Sequence, residues 1–135
     1  MSESLDFRTL LEKGLLKARS GHSEQALSTL ERGLVAAKRA KKKRWVMHFS
    51  RNLGLIYDHL GDLKRAREFY EIARDSSPSD PDIHYALSEV YARLELSGLW
   101  RSAIEKCLSS SIASGDNELA GLCRQRIADA QPKSH

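Results

Sequence analysis

Glycine and alanine recur at a fixed interval along this chain, and that interval limits its fold more than any other feature. Gly14 and Gly54 stand 40 positions apart, as do Gly21 and Gly61, and Ala26 and Ala66; Ala103 follows Ala66 after 37. A period of this size marks a chain built from stacked supersecondary units. Each alanine lies a few residues beyond a glycine-bearing turn, early in the second helix of a pair. Two antiparallel helices joined by a short turn need small residues where their backbones cross, because larger ones would push them apart.

The segments between the breaks carry helical periodicity. Leu5, Leu10, Leu11, Leu15 and Leu16 repeat at helical spacing, and Ser20-Gly21-His22 then interrupts them. Ser23 is placed to cap a second helix bearing Ala26, Leu27, Leu30, Leu34 and Val35. A third helix starts near Trp45 with Leu53, Ile56, Tyr57 and Leu60, and Gly61-Asp62 opens a fourth with Ala66, Phe69, Tyr70 and Ile72. After Ser76-Ser77-Pro78-Ser79, Asp80-Pro81 makes a strong start for a fifth with Ile83, Leu87, Val90, Tyr91 and Leu94. Ser97-Gly98 reads as the next break, before a sixth helix with Trp100, Ile104, Cys107 and Leu108. Ser114-Gly115 ends that helix, and Asp116 can cap a seventh with Leu119, Leu122, Cys123, Ile127 and Ala128. Residues 131–135 read as a frayed tail.

Composition narrows the alternatives. A chain of 135 residues is the size of one domain. With 41% hydrophobic and 30% charged residues it can bury a core, unlike a disordered chain. Three prolines and eight glycines leave little room for a turn-rich all-β fold. No apolar run approaches the roughly 20 residues that span a bilayer. The first residues lack the basic start and apolar stretch of a secretory signal. Cys107 and Cys123 are too few and too far apart in sequence for a disulfide framework or a zinc module, so reduced thiols in a cytoplasmic setting are expected.

The net charge of +4 is concentrated. Lys38, Arg39, Lys41, Lys42, Lys43 and Arg44 hold six of the 22 basic residues, which leaves 16 against 18 acidic ones, or −2, for the rest of the chain. The basic balance therefore reports one segment and not a generally basic surface.

The segment from Met47 to Asp80 resembles a tetratricopeptide repeat. It reads Leu53-Gly54-x-x-Tyr57, Gly61-Asp62, Ala66-x-x-x-Tyr70, Ala73 and Pro78, with Ser50 where the family often has Trp. A first unit, about 7–46, keeps Gly14, Gly21, Ala26 and Leu30 but has Lys17 and Gly33 where Tyr and Ala are preferred; a second helix about six residues longer than usual would account for its 40-residue period. A third, 81–114, keeps Leu87, Tyr91 and Ala103, has Ser88 in place of Gly, and reads as having a turn about three residues longer. Residues 116–130 resemble the solvating helix that closes such arrays. The resemblance implies a single all-α domain, a right-handed α-solenoid of three helix-turn-helix repeats plus a C-terminal capping helix.

In the family the first helix of each pair lines a concave face. Carried over, that stripe holds Arg8, Leu11, Glu12, Leu15 and Arg19 in the first unit. It holds His48, Arg51, Asn52, Leu55, Asp58 and His59 in the second, and Tyr85, Ala86, Glu89 and Arg93 in the third. A groove of this mixed character suits a peptide or helix of another protein with acidic and apolar side chains. Asn52 matches a position where family members bond a ligand's backbone, since an amide both donates and accepts; the alternative is a bond to a neighbouring helix. Some members clamp acidic chaperone C-termini with Lys, Asn, Asn, Lys and Arg; here Leu11, Leu15, Asp82 and Ala86 occupy four of those positions and only Asn52 fits, which disfavours such a clamp.

Other signals point less far. The run Lys38–Arg44 lacks interleaved aromatics, so it reads as a solvated helix end, with an anionic partner such as nucleic acid as the rival. His22, His48, His59, His84 and His135 show no ligand spacing, and Ser109, Ser110 and Ser111 have no partner placed to activate them. Catalysis, cofactors and metals are therefore not expected. The function implied is a non-enzymatic adaptor that holds a partner segment in its groove. The alternatives are anion binding through Lys38–Arg44 and a self-associating scaffold.

Overall fold

The computed structural model describes residues 6–130. Among them are seven helices and no strand: α1 (Phe7–Arg19), α2 (Ser23–Arg39), α3 (Lys43–His59), α4 (Leu63–Ser76), α5 (Pro81–Arg93), α6 (Ser97–Ser114) and α7 (Asn117–Ala130). The all-α expectation holds. Leu5 and the tail 131–135 lie outside the described residues. The chain divides into two compact units, Met1–Pro78 and Ser79–His135, at the break expected from Ser76-Ser77-Pro78-Ser79.

One device ends α1, α2, α3, α5 and α6 alike. After α1 the Gly21 amide donates to the Ala18 carbonyl (3.1 Å) and the His22 amide to the Lys17 carbonyl (2.9 Å), with Gly21 at φ +82°. These two bonds satisfy carbonyls that a helix end leaves open. Gly61 and Gly115 repeat the arrangement at φ +82° and +77°. After α2 and α5 the same bonds form, but Lys41 (φ +54°) and Glu95 (φ +59°) take the left-handed position.

Those two turns correct the sequence reading. α3 begins at Lys43, not near Trp45. α2 has 17 residues against 14 in α4, so it is longer by three and not by six; the rest of the 40-residue period comes from an added turn, 43–46, at the head of α3. In the third pair the turn is not lengthened. It is Leu94-Glu95-Leu96, and Ser97-Gly98 lie inside α6. α4 and α6 therefore begin 34 positions apart, at Leu63 and Ser97. Trp100, not Ala103, stands at the counterpart of Ala66. Capping also differs in one place: Ser23 is the first residue of α2, and His22 before it makes no side-chain cap. Asp6, Asp62, Asp80 and Asp116 do cap, accepting amides from Thr9 (3.2 Å), Arg65 (3.1 Å), Asp82 (3.0 Å) and Leu119 (3.1 Å). The hydroxyl and amide of Thr9 hold the Asp6 carboxyl below its ordinary value of 3.8.

In the first unit, Leu30, Leu34, Ala37, Val46, Phe49 and Leu53 form one buried cluster from α2 and α3. Phe7, Leu10 and Leu11 of α1 and Phe69 and Ile72 of α4 pack on it. The helices close up where glycine permits. A Cβ on Gly54 would lie 2.7 Å from Tyr70 Cδ1, and one on Gly33 would strike the Phe49 ring. Gly33 is thus what admits Phe49 to the core. Tyr57 ties three helices: its hydroxyl donates to Glu31 Oε1 (3.1 Å) and accepts from Arg65 Nη1 (3.4 Å), and its ring stacks on Phe69 at 5.5 Å. Burial raises its phenol above the ordinary value of 10.0.

In the second unit, Ile104 and Cys107 of α6 meet Cys123 of α7, with Tyr85, Trp100, Leu108, Leu119 and Ile127 around them. Several positions read as apolar-face residues are instead exposed: Leu16, Val35, Leu60 and Leu122.

Candidate partner-binding groove

α1 and α3 lie side by side in the first unit, and their facing stripes border an open cavity of about 500 Å³. The walls are Leu15, Ala18 and Arg19 from α1, Ser23 from the head of α2, and Asn52, Leu55, Ile56, His59 and Leu60 from the end of α3. The helical repeat produces this directly. Residues 52, 56 and 60 are one turn apart on one face, as are 15 and 19.

The cavity keeps a large apolar area in water. Leu55 is 58% exposed and Leu60 52%. Leu55 and Leu60 are neighbours in one wall, whereas an isolated exposed leucine would need no account. Arg19 and His59 stand exposed at the rim, so the charge on offer there is positive or neutral.

Asn52 is the polar group set deepest in the wall, at 9% exposure. Its Nδ2 donates to the His48 carbonyl at 2.8 Å, one turn back on α3. That bond uses one of the two amide hydrogens and leaves the other hydrogen and Oδ1 uncommitted by it. The alternative reading, a bond to a neighbouring helix, is not what forms: this bond lies within α3 itself.

Five of the residues read from the sequence come together here: Leu15, Arg19, Asn52, Leu55 and His59. Six others of the first unit, Glu12 and Asp58 among them, are not in the wall. Leu11 is half-buried against the core, Arg8 is exposed one turn before it, Arg51 is half-buried outside the cavity wall, and His48 rests its ring on Trp45 at 5.5 Å. In the second unit, Tyr85 and Glu89 engage the closing helix: Arg126 Nη2 donates to the Tyr85 hydroxyl (3.2 Å) and lies 3.6 Å from Glu89 Oε2. Arg93 is exposed in the last turn of α5. The sequence reading missed Ala18, Ser23, Ile56 and Leu60 as lining residues. Ile56 and Leu60 were readable, since both continue the Asn52 stripe at intervals of four.

The basic segment is split by the turn. Lys38 and Arg39 end α2, Lys41 and Lys42 form the turn, and Lys43 and Arg44 begin α3, all exposed. Cations suit the C-terminal end of α2 but not the N-terminal end of α3, which has no acidic residue in its first turn. The Arg44 guanidinium lies 5.9 Å from the Trp45 ring centroid. The reading as a solvated helix end thus accounts for Lys38 and Arg39 only. Among the described residues no His, Cys, Asp and Glu group has the arrangement to hold a metal ion, and no helix is long and apolar enough to cross a membrane.

Comparison with known proteins bears on the fold. The tetratricopeptide repeat family matches residues 52–79. No curated protein matches the sequence. Among solved structures, the chain is similar to PcrH in complex with the chaperone binding region of PopD, at a TM-score of 0.74 and 15% identity, covering 96% of this chain and 96% of that one. A mutant of MamA aligns at a TM-score of 0.37 and 19% identity, covering 85% of this chain and 98% of that one. The first likeness shows the fold, an all-α solenoid of helix pairs.

Proposed function

With a tetratricopeptide repeat at residues 52–79 as the premise, we propose that this chain is a non-enzymatic protein-interaction module whose α1–α3 cavity receives a peptide or helix of a partner protein. The observation that carries the reading is the cavity of about 500 Å³, apolar at Leu15, Leu55, Ile56 and Leu60 and bordered by Arg19, His59 and Asn52. An apolar anchor entering it would cover Leu55 and Leu60, and each leucine-sized side chain buried contributes about 1.5–3 kcal/mol. Arg19 suits an acidic residue beside that anchor. Asn52 Oδ1 suits a backbone amide of the guest. The solved structure of similar fold, PcrH, is a complex with a binding region of another protein, which agrees with this use of the fold.

The test is selection of peptides from a random library by the intact protein, followed by affinity measurement against Leu55→Arg and Arg19→Glu. Both positions are exposed, so the helices should form normally, which circular dichroism would check. Selected peptides should pair an apolar residue with an acidic one. Each substitution should weaken binding tenfold or more, about 1.4 kcal/mol. Peptides that bind both variants as tightly as the wild type would place the binding surface elsewhere.

A second reading has its own observation. Lys41, Lys42, Lys43 and Arg44 cluster at a helix N-terminus that they do not stabilise, which favours an anionic contact there. Binding through them should fall steeply with salt, whereas capture of a partly apolar peptide should persist.

A further inference from the structure

Cys107 and Cys123 are 16 positions apart in sequence, and the fold brings them together. They stand on α6 and α7, both with 0% exposure, with their sulfur atoms 2.7 Å apart. A disulfide bond is about 2.05 Å long, so less than about 1 Å of further approach would form one. The pair sits at the seam between the closing helix and its neighbour, with Ala120 the other buried residue of α7. From this geometry we infer that Cys107 and Cys123 are a redox modification site, at which oxidation by a low-molecular-weight disulfide such as glutathione disulfide staples α7 to α6.

The chemistry proceeds through opening of α7. In the closed state both sulfurs are protonated thiols near neutral pH. Burial pushes Cys107 up to about 12 and raises Cys123 above its ordinary value of 9.0. Only thiolates attack disulfides, so the buried pair is inert until the helix lifts. α7 is suited to lifting, because it buries only Ala120 and Cys123 completely and its polar ties are the surface contacts of Arg126.

Once α7 lifts, one cysteine gives up its proton. The thiolate attacks a sulfur of glutathione disulfide, forming a mixed disulfide and releasing one glutathione. The second cysteine attacks the protein sulfur of that mixed bond and releases the second glutathione. Two electrons pass from the protein to glutathione disulfide, and the two thiol protons end on the two glutathione molecules. Re-docking of α7 then buries the bond beside Ile104, away from further exchange. Ser111 remains beside the site, its Oγ 3.9 Å from Cys107 Sγ and donating to the Cys107 carbonyl at 2.6 Å.

The test uses the full chain in buffers of graded glutathione and glutathione disulfide. Samples are quenched in acid, alkylated in denaturant, and weighed intact, with amide exchange followed in parallel. The expected product is a monomer two hydrogens lighter that takes up no alkylating agent. In it the α7 amides should exchange about a hundredfold more slowly than in the reduced wild type, the effect of closing a loop of this length. Cys107→Ala and Cys123→Ala should each show no such slowing under oxidation. The reduced wild type serves as the reference, so a variant that folds poorly does not remove the comparison. Two results would overturn the proposal: both thiols remaining open to alkylation at every ratio, or glutathione adducts and intermolecular dimers forming instead of the internal bond. An internal bond that leaves α7 exchange unchanged would overturn the stapling role.

Discussion

Gly54 and Gly121 are both helical glycines, yet they respond to opposite physics. Gly54 faces the Tyr70 ring across the α3–α4 crossing, and an added methyl would meet Tyr70 Cδ1 at 2.7 Å. Tyr70 is 2% exposed and hemmed in by the core, so the ring has little space to retreat. Gly54→Ala should destabilise the first unit by about 1–3 kcal/mol, the usual cost of overpacking, as measured by urea denaturation. Gly121 meets nothing within 4 Å on the outside of α7. There the same substitution removes only the entropic weakness of glycine in a helix, so Gly121→Ala should stabilise by about 0.5–1 kcal/mol. Equal effects from the two substitutions would contradict this account of the crossing. The sequence already marked Gly54 through its 40-residue spacing from Gly14. It gave no reason for Gly33, because the Phe49 ring that fills that space comes from the next helix pair.

At the scale of elements, the chain was legible wherever a residue type dictates the backbone and opaque where it does not. Gly21, Gly61 and Gly115 announce left-handed helix ends, and Asp80-Pro81 announces a helix start. The turns at Lys41 and Glu95 have the same bonds without the glycine, so sequence reading moved one helix start and lengthened the other turn. A side chain at positive φ costs roughly 1 kcal/mol relative to glycine, and tertiary packing on both sides holds it there. Lys41→Gly and Glu95→Gly should therefore each stabilise the fold by about 0.5–1 kcal/mol in thermal or chemical denaturation. A loss of stability would mean that the lysine or glutamate side chain contributes more than its backbone costs. The cavity was legible to a similar degree. Helical spacing found Leu15, Arg19, Asn52, Leu55 and His59. It could not separate Leu11, which turns toward the α2–α3 core, from Leu15, one turn away in the wall.

At the scale of the whole molecule, charge is distributed against the grain of one helix. Six cations from Lys38 to Arg44 carry more than the entire net charge of +4, and two of them open α3. A carboxylate at that end would interact favourably with the free amides. Lys43→Glu should raise stability by about 0.3–1 kcal/mol at low salt, and the gain should fade in about 1 M salt. Groove affinity for a selected peptide should not change, because Lys43 is absent from the cavity wall. If it did change, the basic segment and the cavity would belong to one binding surface. The run of serine and proline at 76–79 was legible as a break between helices, whereas the sequence was read as one domain and the contacts group it as two compact units. The meeting of Cys107 with Cys123 was not, because it depends on how a terminal helix folds back on its neighbour.

An asparagine amide carries two hydrogens and one oxygen, and Asn52 commits a single hydrogen to the His48 carbonyl. The second hydrogen and the oxygen are left over, so one side chain can both give to and take from a guest's main chain. A proline in the guest keeps its carbonyl for that hydrogen and forfeits only the partner of the oxygen, so such a guest loses one of two contacts and not both.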